Sequence, residues 1–311
     1  MNTDVVEKIA DAVLYEGYVL YPYRPSATKN RQRFNFGVLY PRQYCEAQAG
    51  SDLWEMQTEC LVTGSTSTTI EVKTRFLQLA AREDWQEGVE REVSTRAMTL
   101  ESILEGPYRQ EFGWPDAGHG NFKDSRAIAG ELDLAATAID RDGFKLTLRM
   151  RNQVSVQEPD PDRMSRDAAL LRSLVSVHSI VRVAQGEFVS LLDPPEPLKR
   201  AASDCRNLGT WPVLAGEEGQ RDLILSAPII LYDYPKIAPE SAGDLFDGTE
   251  IDEILALRIL TMTEAEKMEV RNGDDRARRI LERTEMMPPE HFQKLHGALR
   301  GLRASTGEPT S

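Results

Sequence analysis

Cysteine, histidine and uninterrupted apolar sequence are all scarce in this 311-residue chain. The three cysteines, Cys45, Cys60 and Cys205, are far apart and odd in number. Neither a disulfide framework nor a zinc-binding CxxC pair is expected, and a reducing compartment fits. The longest apolar stretches are broken by Arg, Glu or Pro, short of the roughly 18 to 20 residues needed to cross a bilayer, so no membrane span is expected. The N-terminal "MNTDVVEKIADAV" is acidic where a secretory leader starts basic, which makes the cytoplasm the expected location. Basic residues are outnumbered, 37 Lys and Arg against 50 Asp and Glu, for a net charge of -13. Phosphate neutralisation needs clustered cations, so nucleic acid is not the expected ligand; a protein partner fits better.

Nucleotide and hydrolase signatures are missing too. No GxxxxGK[ST] loop and no strand-borne GxGxxG occurs, so neither a P-loop nor a dinucleotide fold has support. Four histidines, His119, His178, His291 and His296, supply the possible general bases. No GxSxG elbow accompanies them, and the spacing of His291 and His296 is not that of an i, i+4 metal pair. No catalytic residue, metal ligand or cofactor is assigned.

What the chain does contain is alternation. "WEMQTECLV" and "TIEVKTRFLQLA" read as strands, with Met56, Cys60 and Val62, then Ile70, Val72 and Phe76, turned to one side. In "GELDLAATAIDRDGFKLTLRMRNQV" a hairpin is expected, with Gly143 supplying a positive-φ turn residue and Phe144, Leu146, Leu148 and Met150 facing the core. Residues 13–40 read as two strands around a loop that carries Arg24, Arg31 and Arg33. Proline and aspartate break the pattern in "QEPDPDRMSRD". A helix capped by Ser165 or Asp167 follows, then a hairpin turning at Gln185-Gly186. Beyond Asp247 the signals turn helical: acidic N-caps, a Thr263/Glu266 capping box, and Pro288-Pro289 opening a last helix. The acidity of Asp244, Asp247, Glu250, Asp252 and Glu253 suits a helix N-terminus, and it also suits a docking surface.

Cys205 opens an unusual stretch, "CRNLGTWPVLAG". Two readings stay open there: a thiol activated by Arg206, or a packed turn anchored by Trp211. "FVSLLDPPEPL" resembles the Asp-Pro-Pro-aromatic motif of amino-methyltransferases, but Glu196 stands where the aromatic is required.

The blocks "DAVLYEGYVLYPYR", "FVSLLDPP", "CRNLGTWPVL", "PIILYDYPKIAPES", "GDLFDGTEIDEILALRILTMT" and "MPPEHFQKLHGALR" resemble a family of uncharacterised bacterial proteins. That family is associated with gene clusters for uptake nickel-iron hydrogenases. The resemblance implies an accessory role in maturation, assembly or complex formation, with a hydrogenase subunit or maturation factor as partner.

The expected architecture is α+β. It comprises an antiparallel β-rich body over residues 1–155 and 165–240, with room for two β subdomains, a helical extension over 241–304, and a disordered end at 305–311. The expected function is non-catalytic protein binding through Arg24, Arg31 and Arg33 and through the acidic run from Asp244 to Glu253. The competing expectation is a small hydrolase or metal-delivery protein that uses Cys205 with Arg206 and a histidine.

Overall fold

The computed structural model describes residues 3–15, 36–48, 50, 52–81, 86–115, 124–125, 127–156, 164–236, 264–271, 278, 281–282 and 285–286. The chain forms two compact units, Met1–Ile237 and Ala238–Ser311.

The first unit is built on one antiparallel sheet. Its long strand β1, Glu55–Ala81, joins the two strands expected from the sequence into one. β1 is flanked on one side by β7 (Gly143–Asn152), β3 (Met98–Thr99) and β2 (Gln86–Ser94), in that order along its length. On its other side lies β8 (Val175–Val189), with the short β5 (Asp124–Ser125) beyond it. The sheet extends through β6 (Ile128–Ala138) to β4 (Tyr108–Trp114) at one edge, and through β10 (Leu223–Ala227) to β9 (Trp211–Leu214) at the other. Because β1 pairs with β7 and also with β8, the division into two β subdomains near residues 155–165 is corrected: one sheet crosses that point.

Strand alternation decides which residues enter the core. Met56, Cys60, Val62, Ile70, Val72 and Phe76 of β1 meet Phe144, Leu146, Leu148 and Met150 of β7 in one buried cluster, as their period-2 spacing requires. Phe76, Phe112 and Trp114 meet there with ring centroids 5.7–5.8 Å apart. The helix α3, Leu100–Glu105, is capped by the Thr99 hydroxyl and lays Leu100 and Ile103 on this face.

The opposite face is covered at β8, β9 and β10 by α1, Thr3–Tyr15. Val6, Ile9 and Ala10 recur at helical spacing and pack with Ile180, Val213 and Leu225. The strand expected to begin at Val13 is corrected here, since the helix runs through Tyr15; residues 16–35 lie outside the described residues. Polar contacts fix the helix in place. The Arg75 guanidinium lies 2.7 Å from Asp11 and 3.6 Å from Glu7, and Lys73 reaches Glu7 at 2.8 Å.

Two turn expectations are also corrected. The β6–β7 connection closes on the Asp140 side chain, which accepts hydrogen bonds from the backbone N–H groups of Asp142 (3.0 Å) and Gly143 (2.7 Å). Gly143 is not a positive-φ residue; it is small because a Cβ there would meet Asp140 Oδ1 at 2.8 Å. At Gln185-Gly186 there is no hairpin. β8 runs straight through, and Gln185 (φ 61) marks a register shift against Gly64–Thr69 of β1.

The helix expected after Ser165 is a single turn, α4, Arg166–Leu170, with the Ser165 hydroxyl accepting from Ala168 N. A short helix, α2, Arg42–Gln48, precedes β1, and α5, Lys199–Ser203, follows β8.

In the second unit the described helix is α6, Glu264–Arg271. Its Lys267 and Arg271 both pair with Glu285, at 3.1 and 2.8 Å. These two hydrogen bonds hold the Glu285 carboxyl below its ordinary range. Internal pairing therefore accounts for part of the charge in this tail.

Candidate functional site

The stretch "CRNLGTW" is sewn onto β1. Leu208 exchanges backbone hydrogen bonds with Gln57 (2.9 and 3.1 Å). The Asn207 side chain accepts from Glu59 N, and Gln57 Nε2 donates to the Arg206 carbonyl. Beneath the turn, Glu59 is buried and fully engaged. Its carboxylate accepts from Arg206 N (2.7 Å) and the Thr147 hydroxyl (3.2 Å), and pairs with Lys145 (3.1 Å).

This setting does not favour an activated thiol. Burial, with the Glu59 charge adding to it, pushes the Cys205 thiol up to about 11. Its Sγ–H points to the Ala201 carbonyl at 3.5 Å, and the side chain packs beside Leu61, Val189 and Leu198. The Arg206 side chain is exposed and makes its contacts through its backbone. Trp211 is not the anchor of the turn either, because 43% of it is exposed. A buried Thr58–Ser226–Thr210 hydroxyl chain, with links of 2.7 and 2.6 Å, holds that corner.

His178 is the described histidine, and it is walled in. Its Nδ1 meets the Ser176 carbonyl at 2.9 Å, while Nε2 is buried and has no partner among the described residues. Burial, with Arg75 nearby, brings its pKa down to about 4. His119, His291 and His296 lie outside the described residues. So do the expected partner-binding residues Arg24, Arg31, Arg33, Asp244, Asp247, Glu250, Asp252 and Glu253.

A cleft of about 210 Å³ opens on the first unit where distant segments meet, around Tyr40, Asp52, Arg166 and Trp211. Asn152, buried at the end of β7, sets this junction. Its side-chain amide donates to the carbonyls of Leu39 (2.8 Å) and Arg172 (2.9 Å), and its carbonyl oxygen accepts from Val154 N. Leu39 bonds Leu174 in both directions, and Tyr40 N donates to the Leu53 carbonyl. Arg166, the first residue of α4, donates Nε–H to the Tyr40 hydroxyl at 3.0 Å and Nη2–H to Asp52 at 3.2 Å. Its guanidinium carbon also lies 5.4 Å from the centre of the Tyr40 ring. Burial raises Tyr40 to about 12, so its hydroxyl keeps its proton.

Two glycines line the opening with positive φ. A Cβ on Gly37 would meet Pro228 at 2.6 Å, and one on Gly209 would meet Leu53 at 2.7 Å. Both positions exclude other residues by conformation and by contact.

Beside the cleft the chain wraps the β9 edge. After β10, Ile229 and Leu231 pack on the α1 side of the sheet, and Tyr234 packs on the opposite side. Both backbone groups of Leu214 are taken on the way: Asp233 accepts from its N–H at 2.9 Å, and Tyr234 N donates to its carbonyl at 2.7 Å. Ser190 donates to the second oxygen of Asp233 and accepts from the N–H groups of Leu192 and Asp193. The blocks "FVSLLDPP" and "LYDYP" therefore form a clasp, which explains their polar residues without methyl-transfer chemistry. The clasp leaves Ile230 (74% exposed), Tyr232 (82%) and Leu192 (57%) outward.

No family model matches the chain, and no curated protein matches its sequence. Among the described residues, no helix is long and apolar enough to cross a membrane.

Proposed function

We propose that this chain is a binding protein without catalytic chemistry of its own. It acts by protein–protein contact in the maturation or assembly of nickel-iron hydrogenase, the context implied by the family resemblance. The observation that carries the binding reading is the outward side chains Leu192, Trp211, Ile230 and Tyr232, which lie on three segments that hydrogen bonds to Asp233 tie together. Large apolar side chains grouped on a rigid surface mark contact sites more often than chance exposure does. Among the described residues, two groups that could serve chemistry are engaged otherwise: burial raises the Cys205 pKa, and Glu59 is saturated with partners. The charged segments Arg24 to Arg33 and Asp244 to Glu253 are further candidate surfaces.

The test is affinity purification of the tagged chain from its native cell, grown with and without hydrogenase induction, with mass spectrometry of what co-purifies. Hydrogenase subunits or maturation factors recovered under induction alone are the expected result. Their absence from cells that express hydrogenase would count against this function.

A further inference from the structure

Resting on the protein-binding reading, we propose that the cleft between Tyr40, Arg166 and Trp211 is the anchor pocket of that interface. It takes one large apolar side chain of an extended partner segment, with a carboxylate of that segment beside it. A space of about 210 Å³ is on the scale of a single large side chain, and its apolar lining comes from Met56, Leu53 and Pro228. Trp, Tyr and Arg are the residue types that dominate binding energy at interfaces, and here one of each surrounds the same opening.

The mouth carries the neutral Arg166–Asp52 pair, and its positive member is the more exposed. The Arg166 side chain is 64% exposed, whereas the Asp52 carboxylate that steadies it is only 22% exposed, so the guanidinium stands forward of its partner. The Tyr40 hydroxyl accepts the Arg166 Nε–H and retains its own proton to donate. Hydrogen-bond donors at the mouth call for an acceptor, and beside an arginine the acceptor of choice is a carboxylate. The pocket is also preorganised. Arg166 is held by two side chains, and the Asn152 amide fixes the backbone that carries Tyr40, so little ordering remains to oppose binding.

The experiment selects phage-displayed random dodecapeptides against the full chain. The expected consensus is a Leu, Phe or Trp with Asp or Glu within two positions. A synthetic consensus peptide should bind about tenfold more weakly to Trp211→Ala and to Arg166→Glu, and equally well to Ile139→Ala on the distant β6–β7 loop. If either cleft variant melts early, the ligand side carries the test. Replacing the peptide's acid by its amide should weaken binding to the wild type about tenfold and leave binding to Arg166→Gln unchanged.

No enrichment, undiminished affinity in both cleft variants, or a second copy of this chain occupying the cleft in sedimentation would overturn the proposal. Cleft variants that still co-purify the hydrogenase proteins would sink the pocket and spare the function. Peptides that bind as expected to a chain that co-purifies no hydrogenase component would do the reverse.

Discussion

His178 shows what a buried ionisable group costs. The ring is neutral in the fold because it sits without solvent near Arg75, with the carboxylates of Glu7 and Glu90 only partly offsetting that charge. The folded pKa, about 4, lies below the ordinary value of 6.5. Between those values the unfolded chain binds the extra proton, so this contribution is complete above pH 6.5 and is lost as pH falls towards 4. From pH 7 to 4.5 the wild type should lose on the order of 2–3 kcal/mol more than His178→Leu in urea unfolding. Parallel losses in the two proteins would show that His178 is not the sensitive group. Cys205 makes the complementary case. With its thiol at about 11 rather than 9.0, the thiolate at neutral pH is roughly a hundredfold rarer than on an ordinary cysteine. Iodoacetamide at pH 7.5 should label it well below the rate of free glutathione. Labelling faster than glutathione would reopen the thiol chemistry set aside above.

At the scale of elements, the strap across β9 is the feature most open to test. An edge strand invites pairing with other chains, and here Pro212 lacks an N–H while Leu214 is fully bonded to the strap. Asp233→Ala should free the Leu214 amide. Its hydrogen exchange should rise about tenfold or more while central β1 amides keep their protection. Unchanged exchange at Leu214 would mean the strap is held by its apolar contacts alone. The alternation that placed Met56, Cys60, Val62, Ile70, Val72 and Phe76 on one face was readable in advance, because a strand repeats every two residues whatever surrounds it. The first helix was less readable. Val6, Ile9, Ala10 and Leu14 carry its period, but Val13, Tyr15, Val19 and Tyr21 form an equally good strand pattern, and only packing against β8 and β10 chooses between them. Gln185-Gly186 misled for a related reason: a hairpin and a bulge both use a positive-φ residue beside a glycine. The cleft was not visible at all. Tyr40, Asp52, Arg166 and Trp211 come from separate segments, the first and third joined through the Asn152 amide at Leu39 and Arg172, and no spacing in the chain records that meeting.

At the scale of the molecule, among the described residues of the first unit, the sheet pairs many of its ionisable groups internally, while Trp211 of β9 and Ile230 and Tyr232 after β10 are exposed. Arg151 pairs with Glu55 and Glu131, Arg109 pairs with Asp133, and Lys145 pairs with Glu59, so the polar face of β1, β7, β6 and β4 is self-complementary. A partner gains little by replacing pairs that already exist, and more by covering Trp211, Ile230 and Tyr232. The most direct test of this account places a photo-cross-linking amino acid at Tyr232, at Trp211 and, as a control, at Ile139, each in the native cell under hydrogenase-inducing conditions. Adducts to the same one protein from positions 232 and 211, with none from 139, are the expected result. No adduct from either position, or equal yields from all three, would contradict it.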